Sequence, residues 1–250
     1  MPRYDFVSQR LYMKADLSAG RTLELERGQA NYLLNVLRLK SGGQILVFNG
    51  EQGEWRGTLL ETGRKKATIE LIEQVRPQPA PYNLGYAFAP IKAARLEYMV
   101  QKAVEMGAGR LQPVITEYTQ LRKLNMEKLH NYAIEAAEQC GILSIPSIRE
   151  PLLLPQYLDQ LEDDRHVVFC DEEAAGQNPI DALRSLNGKT LDLLVGPEGG
   201  FSPQERQVLR QNGKVCAIPL GPRVLRADTA AVAALAVVQA VVGDWRDQDG

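Results

Sequence analysis

The chain has 250 residues, a formal net charge of −2, 44% apolar and 24% charged residues, ordinary values for a globular protein of one large domain or two modest ones. A chain this long buries enough surface to need no disulfide or metal staple. The near-neutral charge argues against a protein that coats nucleic acid by charge alone, and the longest apolar run, Ala230 to Val238, is far short of the ~20 residues that span a bilayer.

Residues 1–75 read as mostly strands. Thr22 to Leu25, Gln44 to Phe48, Glu54 to Leu59 and Ala67 to Leu71 are the candidates, punctuated by Gly42-Gly43, Asn49-Gly50 and Gly63. One helix interrupts from about Gln29 to Leu39, with Tyr32, Leu33, Val36 and Leu37 on one face. Short strands at this spacing predict a small β-barrel. Residues 1–80 carry 12 Lys and Arg against 9 Asp and Glu, a weak basic excess that suits a polyanion-facing module. Val75 to Pro81, with alternate prolines, is the best linker, so a second domain is expected over 76–250.

There the pattern changes. Leu84 to Ala89, Leu111 to Ile115, His166 to Cys170 and Leu191 to Val195 read as strands. Arg95 to Met106 is a helix ending at Gly107, and Asn125 caps another that runs to Cys140 and stops at Gly141. Strands alternating with helices predict a mostly parallel sheet covered on both faces, an α/β domain. No signal peptide is expected, so Cys140, Cys170 and Cys216 read as buried thiols of a cytoplasmic protein, none in a disulfide. With only His130 and His166, no zinc-type cluster is expected.

Three loops fall at the C-terminal ends of predicted strands, where open α/β sheets bind ligands. In Val195-Gly196-Pro197-Glu198-Gly199-Gly200-Phe201-Ser202 the glycines admit close backbone approach to a ligand, and Ser202-Pro203-Gln204-Glu205 opens a helix as a full capping box. A tight turn before a well-capped helix would explain the same residues. Ile218 to Thr229 holds Gly221, Arg223, Arg226 and Asp228 before a helix, Ala230 to Val242, that is apolar nearly all round and stopped by Gly243. Asp228 reads either as its N-cap or as a working carboxylate. Lys92 to Glu97, followed by Lys102 and Glu105, reads as a solvated helix face with one charge pair or as a functional loop.

VGPEGGFSPQE followed by LGPRVLRADTA and its small-residue helix resembles the signature of the SPOUT methyltransferases. More narrowly, together with KAARLEYMVQKAVEMGAGRLQPVITEYT, EAAEQCGILSIP and the opening MPRYDFVSQRLYM, the chain resembles the branch that methylates N3 of a uridine in 16S ribosomal RNA of the small subunit. The resemblance implies a PUA-like RNA-binding barrel, a C-terminal domain tied in a trefoil knot, a homodimer, and a bent S-adenosylmethionine. By motif position the cofactor would be held by Val195, Gly196, Pro197, Glu198, Gly199, Gly200, Leu220, Gly221 and Leu225, with Cys170 bordering the pocket. Arg226, Asp228 and Glu198 become the candidate catalytic residues. Arg10, Arg21, Arg38, Lys40, Arg64, Lys65 and Lys92 become candidate RNA contacts. Asp228 stands where many members have Glu. Ile142-Leu143 and the surroundings of Tyr118 lack arginines found in many members, so no RNA role is carried over to them.

A sulfonium methyl is already electrophilic, so the implied reaction needs no metal. The protein must align uridine N3 with the S–CH3 bond and assist loss of the N3 proton, with the base unpaired or flipped out. Two other readings stay open on the sequence: another RNA target for the same fold, such as a ribose 2′-oxygen or a purine nitrogen, and a non-catalytic ribosome-binding factor.

Overall fold

In the computed structural model, which describes residues 5, 7–63, 66–80, 83–174 and 178–246, the chain divides into two units. Met1–Ala80 with Ala137–Ile145 make the first, and Pro81–Ala136 with Pro146–Gly250 make the second.

The first unit is a five-stranded sheet and one short helix. Its elements are β1 (Arg10–Tyr12), β2 (Thr22–Glu24), α1 (Arg27–Asn31), β3 (Gln44–Phe48), β4 (Glu54–Gly63) and β5 (Lys66–Arg76). The strand order is β1-β3-β4-β5-β2, antiparallel except for the β1–β3 pair. Register shifts along β4 and β5 bend the hairpin, as bulges do. Gly57 sits where a Cβ would lie 2.4 Å from Ile69 Cγ2, so its bareness lets the two strands close. Leu11, Leu23, Leu33, Ile45, Leu59 and Ile69 form the core.

The predicted helix over 29–39 is different in the structure. α1 passes into a π-helical turn, Tyr32–Val36, in which the Leu37 N–H donates to the Tyr32 carbonyl at 2.9 Å. Leu33 is buried, whereas Tyr32 and Val36 are exposed, because the wider turn breaks the 3.6-residue spacing that would have aligned all four apolar residues. β5 also runs to Arg76, into the expected linker. Its Arg76 guanidinium donates to Glu54 Oε2 at 2.7 Å and to the Gly141 carbonyl at 2.9 Å, which ties residues 137–145 to this unit.

The second unit holds β6 (Leu84–Phe88), α2 (Ala93–Glu105), β7 (Ala108–Ile115), α3 (Met126–Cys140), β8 (Ser147–Ile148), β9 (Leu152–Leu153), α4 (Leu154–Asp159), β10 (Arg165–Cys170), α5 (Pro179–Arg184), β11 (Thr190–Val195), α6 (Pro203–Gln211), β12 (Val215–Ile218) and α7 (Ala227–Val242). The last residues of α3 count with the first unit. The sheet runs β12-β10-β11-β6-β7-β8, with β9 beside β7, and every pair is parallel. β6 is buried throughout and β11 nearly so, as expected of central parallel strands covered on both faces.

At the N-terminal ends of the strands, Asp192 of β11 is fully buried. It accepts from Arg165 Nη1 at 2.9 Å, from Tyr157 Oη at 2.9 Å and from Arg110 Nη2. Gly85 makes room for it: a Cβ there would lie 1.9 Å from Asp192 Oδ1. Gln239 of α7 is buried and donates to the Met106 carbonyl at 2.7 Å. A Cβ on Gly243 would fall 1.9 Å from its Oε1, so this glycine ends α7 by making space rather than by adopting a left-handed conformation. Gly107, by contrast, does end α2 in the left-handed region, at φ 82°.

Two further sequence expectations are corrected. Asp228 is not the N-cap of α7: the cap position is Arg226, and Asp228 lies in the first turn with Oδ1 accepting from the Thr229 N–H at 2.9 Å. Of the three thiols only Cys170 is buried; Cys216 is half-buried and Cys140 exposed, because Cys140 falls on the outer side of the last turn of α3. None joins a disulfide.

Candidate active site

β12, β10 and β11 are neighbours, so their C-terminal residues Ile218, Cys170 and Val195 end side by side. The segments that leave them enclose a cavity of about 240 Å³. Its lining contains Cys170, Val195, Gly196, Pro197, Glu198, Gly200, Leu220, Gly221, Leu225 and Arg226 from the sequence-predicted set. Gly199 and Asp228 are not among the lining residues. A Cβ on Gly199 would stand 3.2 Å from Tyr118 Cβ, so that glycine is fitted to the chain after β7. Asp228 lies in the first turn of α7, half-buried.

The loop glycines serve different ends. At Gly196 a Cβ would lie 2.5 Å from the Phe201 ring, and that ring packs edge-on against Phe169, with centroids 4.9 Å apart. Gly196 therefore accommodates packing behind the cavity. Gly200 takes φ 69° and its N–H donates to the Pro197 carbonyl at 2.9 Å, closing a turn. Gly221 takes φ 95° with nothing within 4 Å of a Cβ, so backbone conformation rather than crowding selects glycine there. The expected capping box forms: Ser202 Oγ accepts from the Glu205 N–H at 3.3 Å, and Glu205 Oε2 accepts from the Ser202 N–H at 2.9 Å. Glu205 Oε1 also accepts from the Glu117 N–H at 2.8 Å, which fixes the chain after β7 to the start of α6.

Phe201, Arg223, Val224, Ala227 and Ala230 also line the cavity from within the segments singled out above, while Asp171 and Glu172 lie outside them. Asp171 and Glu172 follow a strand end, which is the one clue that could have marked them. Asp171 is buried and accepts from Arg206 Nη1 at 2.5 Å and Arg210 Nε at 2.8 Å, while Glu172 pairs with Arg206. α6 thus clamps the chain that leaves β10. Burial, then the charge of Glu172, pushes the Cys170 thiol up to about 12, so it stays protonated and is no nucleophile. Glu198 lies 3.6 Å from Arg95 of α2, which brings the predicted 92–97 segment to the cavity rim. Lys102 and Glu105 form the expected pair at 2.6 Å.

Tyr86, in the middle of β6, stacks on Phe88 at 5.1 Å. Its hydroxyl is buried with no hydrogen-bond partner among the described residues. Burial raises this phenol well above its ordinary range. Since an unmade buried hydrogen bond is unfavourable, Tyr86→Phe is expected to leave stability unchanged or raise it by up to about 1 kcal/mol. A clear fall in the urea midpoint would show that the hydroxyl is bonded after all.

Among the predicted RNA contacts, Arg21, Arg38, Lys40 and Lys92 are exposed, and Arg21 stands 3.6 Å from Asp16. Arg10 is corrected as a surface group: its side chain is 4% exposed and paired with Glu54 at 2.9 Å, because β1 points it into the first unit. Arg64 and Lys65 lie outside the described residues. No group of three His, Cys, Asp or Glu among the described residues could hold a metal ion, and no helix among them is long and apolar enough to cross a membrane.

The family model for the RNA methyltransferase domain matches residues 78–239, over the whole cavity, and that for the RNA methyltransferase PUA domain matches residues 25–72. The chain belongs to the RNA methyltransferase family. Ribosomal RNA small subunit methyltransferase E of Rickettsia conorii is 31% identical, over 92% of this chain and 94% of that one. The crystal structure of the Neisseria gonorrhoeae protein of the same name, bound to S-adenosyl methionine, is 28% identical, with a TM-score of 0.84 over 94% of this chain and 98% of that one. A methyltransferase of Legionella pneumophila, solved with bound SAM, is 30% identical, with a TM-score of 0.80 over 94% of this chain and 98% of that one. Within this family the first unit contains the PUA domain, and the second carries the cavity.

Proposed function

We propose that this chain is an S-adenosylmethionine-dependent enzyme that methylates N3 of a uridine in 16S ribosomal RNA of the small subunit. The observation that carries the reading is the cavity where the VGPEGG and LGPRVLR segments meet at three adjacent strand ends, in a chain whose relatives are named as methyltransferases of small-subunit ribosomal RNA; uridine N3 is the target that the sequence resemblance adds. The cavity suits the cofactor. Val195, Leu220, Leu225, Ala227 and Ala230 offer apolar walls for an adenosyl group, and Glu172 and Glu198 offer carboxylates to its cationic end. Residues 195–200 and 220–225, with Cys170, would hold it, and the trefoil knot that the resemblance implies belongs to the same reading.

When bound, S-adenosylmethionine supplies a methyl group activated by its sulfonium. The protein's share is to orient the uridine, exclude water and manage the N3 proton. Arg226 lines the cavity and offers a positive charge to the uridine as N3 loses its proton. In this reading Glu198, which lines the cavity, and Asp228, two residues after Arg226, are the candidate acceptors of that proton. Arg21, Arg38 and Lys40 of the first unit, with Lys92, would contact phosphates, as would Arg64 and Lys65. We place the reaction in the cytoplasm, on ribosomal RNA or the small subunit.

The active form in this reading is a homodimer. Val232, Ala233, Ala236, Val237, Val241 and Val242 of α7 are only half-buried, an apolar flank that a second copy would cover. Val237→Glu is expected to shift the protein from dimer to monomer in sedimentation at micromolar concentration. A wild type that sediments as a clean monomer would defeat the dimer.

The deciding experiment incubates the full chain with hypomethylated small subunits and S-adenosylmethionine, then digests the RNA to nucleosides for mass spectrometry. 3-Methyluridine is expected. A 2′-O-methyl nucleoside or a methylated purine would redirect the specificity, and no methylated nucleoside at all would overturn the reading.

A further inference from the structure

We infer that the exposed face of α1 and the π-helical turn after it is a platform on which an unpaired RNA base stacks against Tyr32. The inference rests on the reading of the chain as an RNA methyltransferase and names the surface of the first unit that meets the RNA.

Four observations converge on this face. The first is exposure: Tyr32 is 43% and Val36 61% exposed, although Leu33 between them is fully buried. The π-helical turn produces this pattern, and such turns inside helices concentrate at functional positions.

The second is charge. From residue 27 to residue 42 the chain carries Arg27, Arg38 and Lys40 and no acid, the nearest in sequence being the exposed Glu24 and Glu26 just ahead of α1. All three cations are exposed, and none enters an ion pair among the described residues.

The third is backbone strain. Arg38 takes φ 55°, the one non-glycine residue with a positive φ among the described residues. Glycine or asparagine would occupy that conformation more easily, so an arginine held there points to a use for its guanidinium.

The fourth is hydrogen-bonding capacity. Asn35 Nδ2 donates to Asn31 Oδ1 at 3.0 Å, and both residues are exposed. The Asn31 amide group and the Asn35 carbonyl oxygen remain open to a base edge.

An aromatic ring, side-chain amides and cations are the elements that bind unpaired RNA: the ring stacks a base, the amides read its edge and the cations take phosphates. A duplex would not use Tyr32, since its base faces are already stacked.

The test uses the full chain and a fluorescein-labelled single-stranded RNA of about 10 nucleotides, within the range of such sites. Binding is titrated at several salt concentrations. Tyr32→Ala is expected to weaken binding about fivefold to a hundredfold, the range for losing one stacked base, with an unchanged salt slope because no charge is lost. Tyr32→Phe keeps the ring and is expected to bind as wild type does. Arg38→Asn keeps the backbone conformation but removes a charge, so the salt slope should fall by about one phosphate contact.

The inference is overturned when Tyr32→Ala, melting as wild type does, binds the RNA as tightly as wild type. It is also overturned when Tyr32→Ala keeps RNA affinity but loses binding to small subunits, which would make the face a protein contact. A wild type that binds the RNA but transfers no methyl would defeat the proposed activity alone, and the Tyr32 comparison would still decide this point.

Discussion

Arg226→Ala is expected to lower the single-turnover rate of methyl transfer by about 10²-fold or more, the scale for losing one positioned electrostatic group, while S-adenosylmethionine affinity stays near wild type. Arg226 lines the cavity and is exposed. It occupies the cap position of α7 but makes no side-chain cap bond there, so alanine removes no capping interaction. The companion variant Asp228→Asn isolates the proton. Asn keeps an oxygen for the Thr229 N–H bond and loses only the interaction of a first-turn charge with the helix dipole, about 0.3–1 kcal/mol. If Asp228 takes the N3 proton, the rate collapses in a protein that melts almost as wild type does. Rate and melting both near wild type would transfer the role to Glu198. Calorimetric titration with the cofactor and a rapid-quench methyl-transfer assay on subunits separate binding from chemistry. A loss of cofactor affinity equal to the loss of rate in Arg226→Ala would make Arg226 a binding group instead.

Asp192→Ala is expected to destabilise the second unit by about 3–5 kcal/mol, the usual cost of removing one partner from a buried ion cluster. The side chains of Arg110 and Arg165 are 14% and 13% exposed, against 0% for Asp192, and Tyr157 would also lose its acceptor. Glu162 contacts both arginines from the surface, which places the effect toward the lower end of the range. Urea unfolding followed by Trp245 fluorescence in a Trp55→Phe background reports on the second unit alone, since the chain's two tryptophans fall one in each unit. A midpoint within experimental error of wild type would show that Glu162 carries the cluster unaided.

Much of the site could be read in the chain because its signals are local. The capping box Ser202–Glu205, the arrest of α2 at Gly107 and the runs that became β10 and β11 each depend on residues within a few positions of one another. The errors have local causes too. The π-helical turn defeated a periodicity argument at Tyr32 and Val36, since no residue type announces an i to i+5 hydrogen bond. Of the two readings of Asp228, the N-cap fails, since the helix begins one residue earlier, at Ala227, which is buried with Ala230.

The sequence by itself determined most of the longer strands and helices, that the second half builds a parallel sheet, and that the two motif loops follow strand ends, because these features follow from side-chain period and backbone preference; the short β1, β8, β9, α4 and α5 escaped it. It did not determine that β12, β10 and β11 lie next to one another, which alone brings residues 170, 195 and 220 to one cavity. Nor did it pair Asp171 with Arg206 and Arg210, assign Gly196 to the Phe201 ring, or turn Arg10 inward to Glu54. Those partners are 5 to 44 residues apart in sequence. Neighbouring residues restrict a backbone only across a turn or two, and the choice among distant partners is made by burial of the common core and by satisfaction of the charges it encloses.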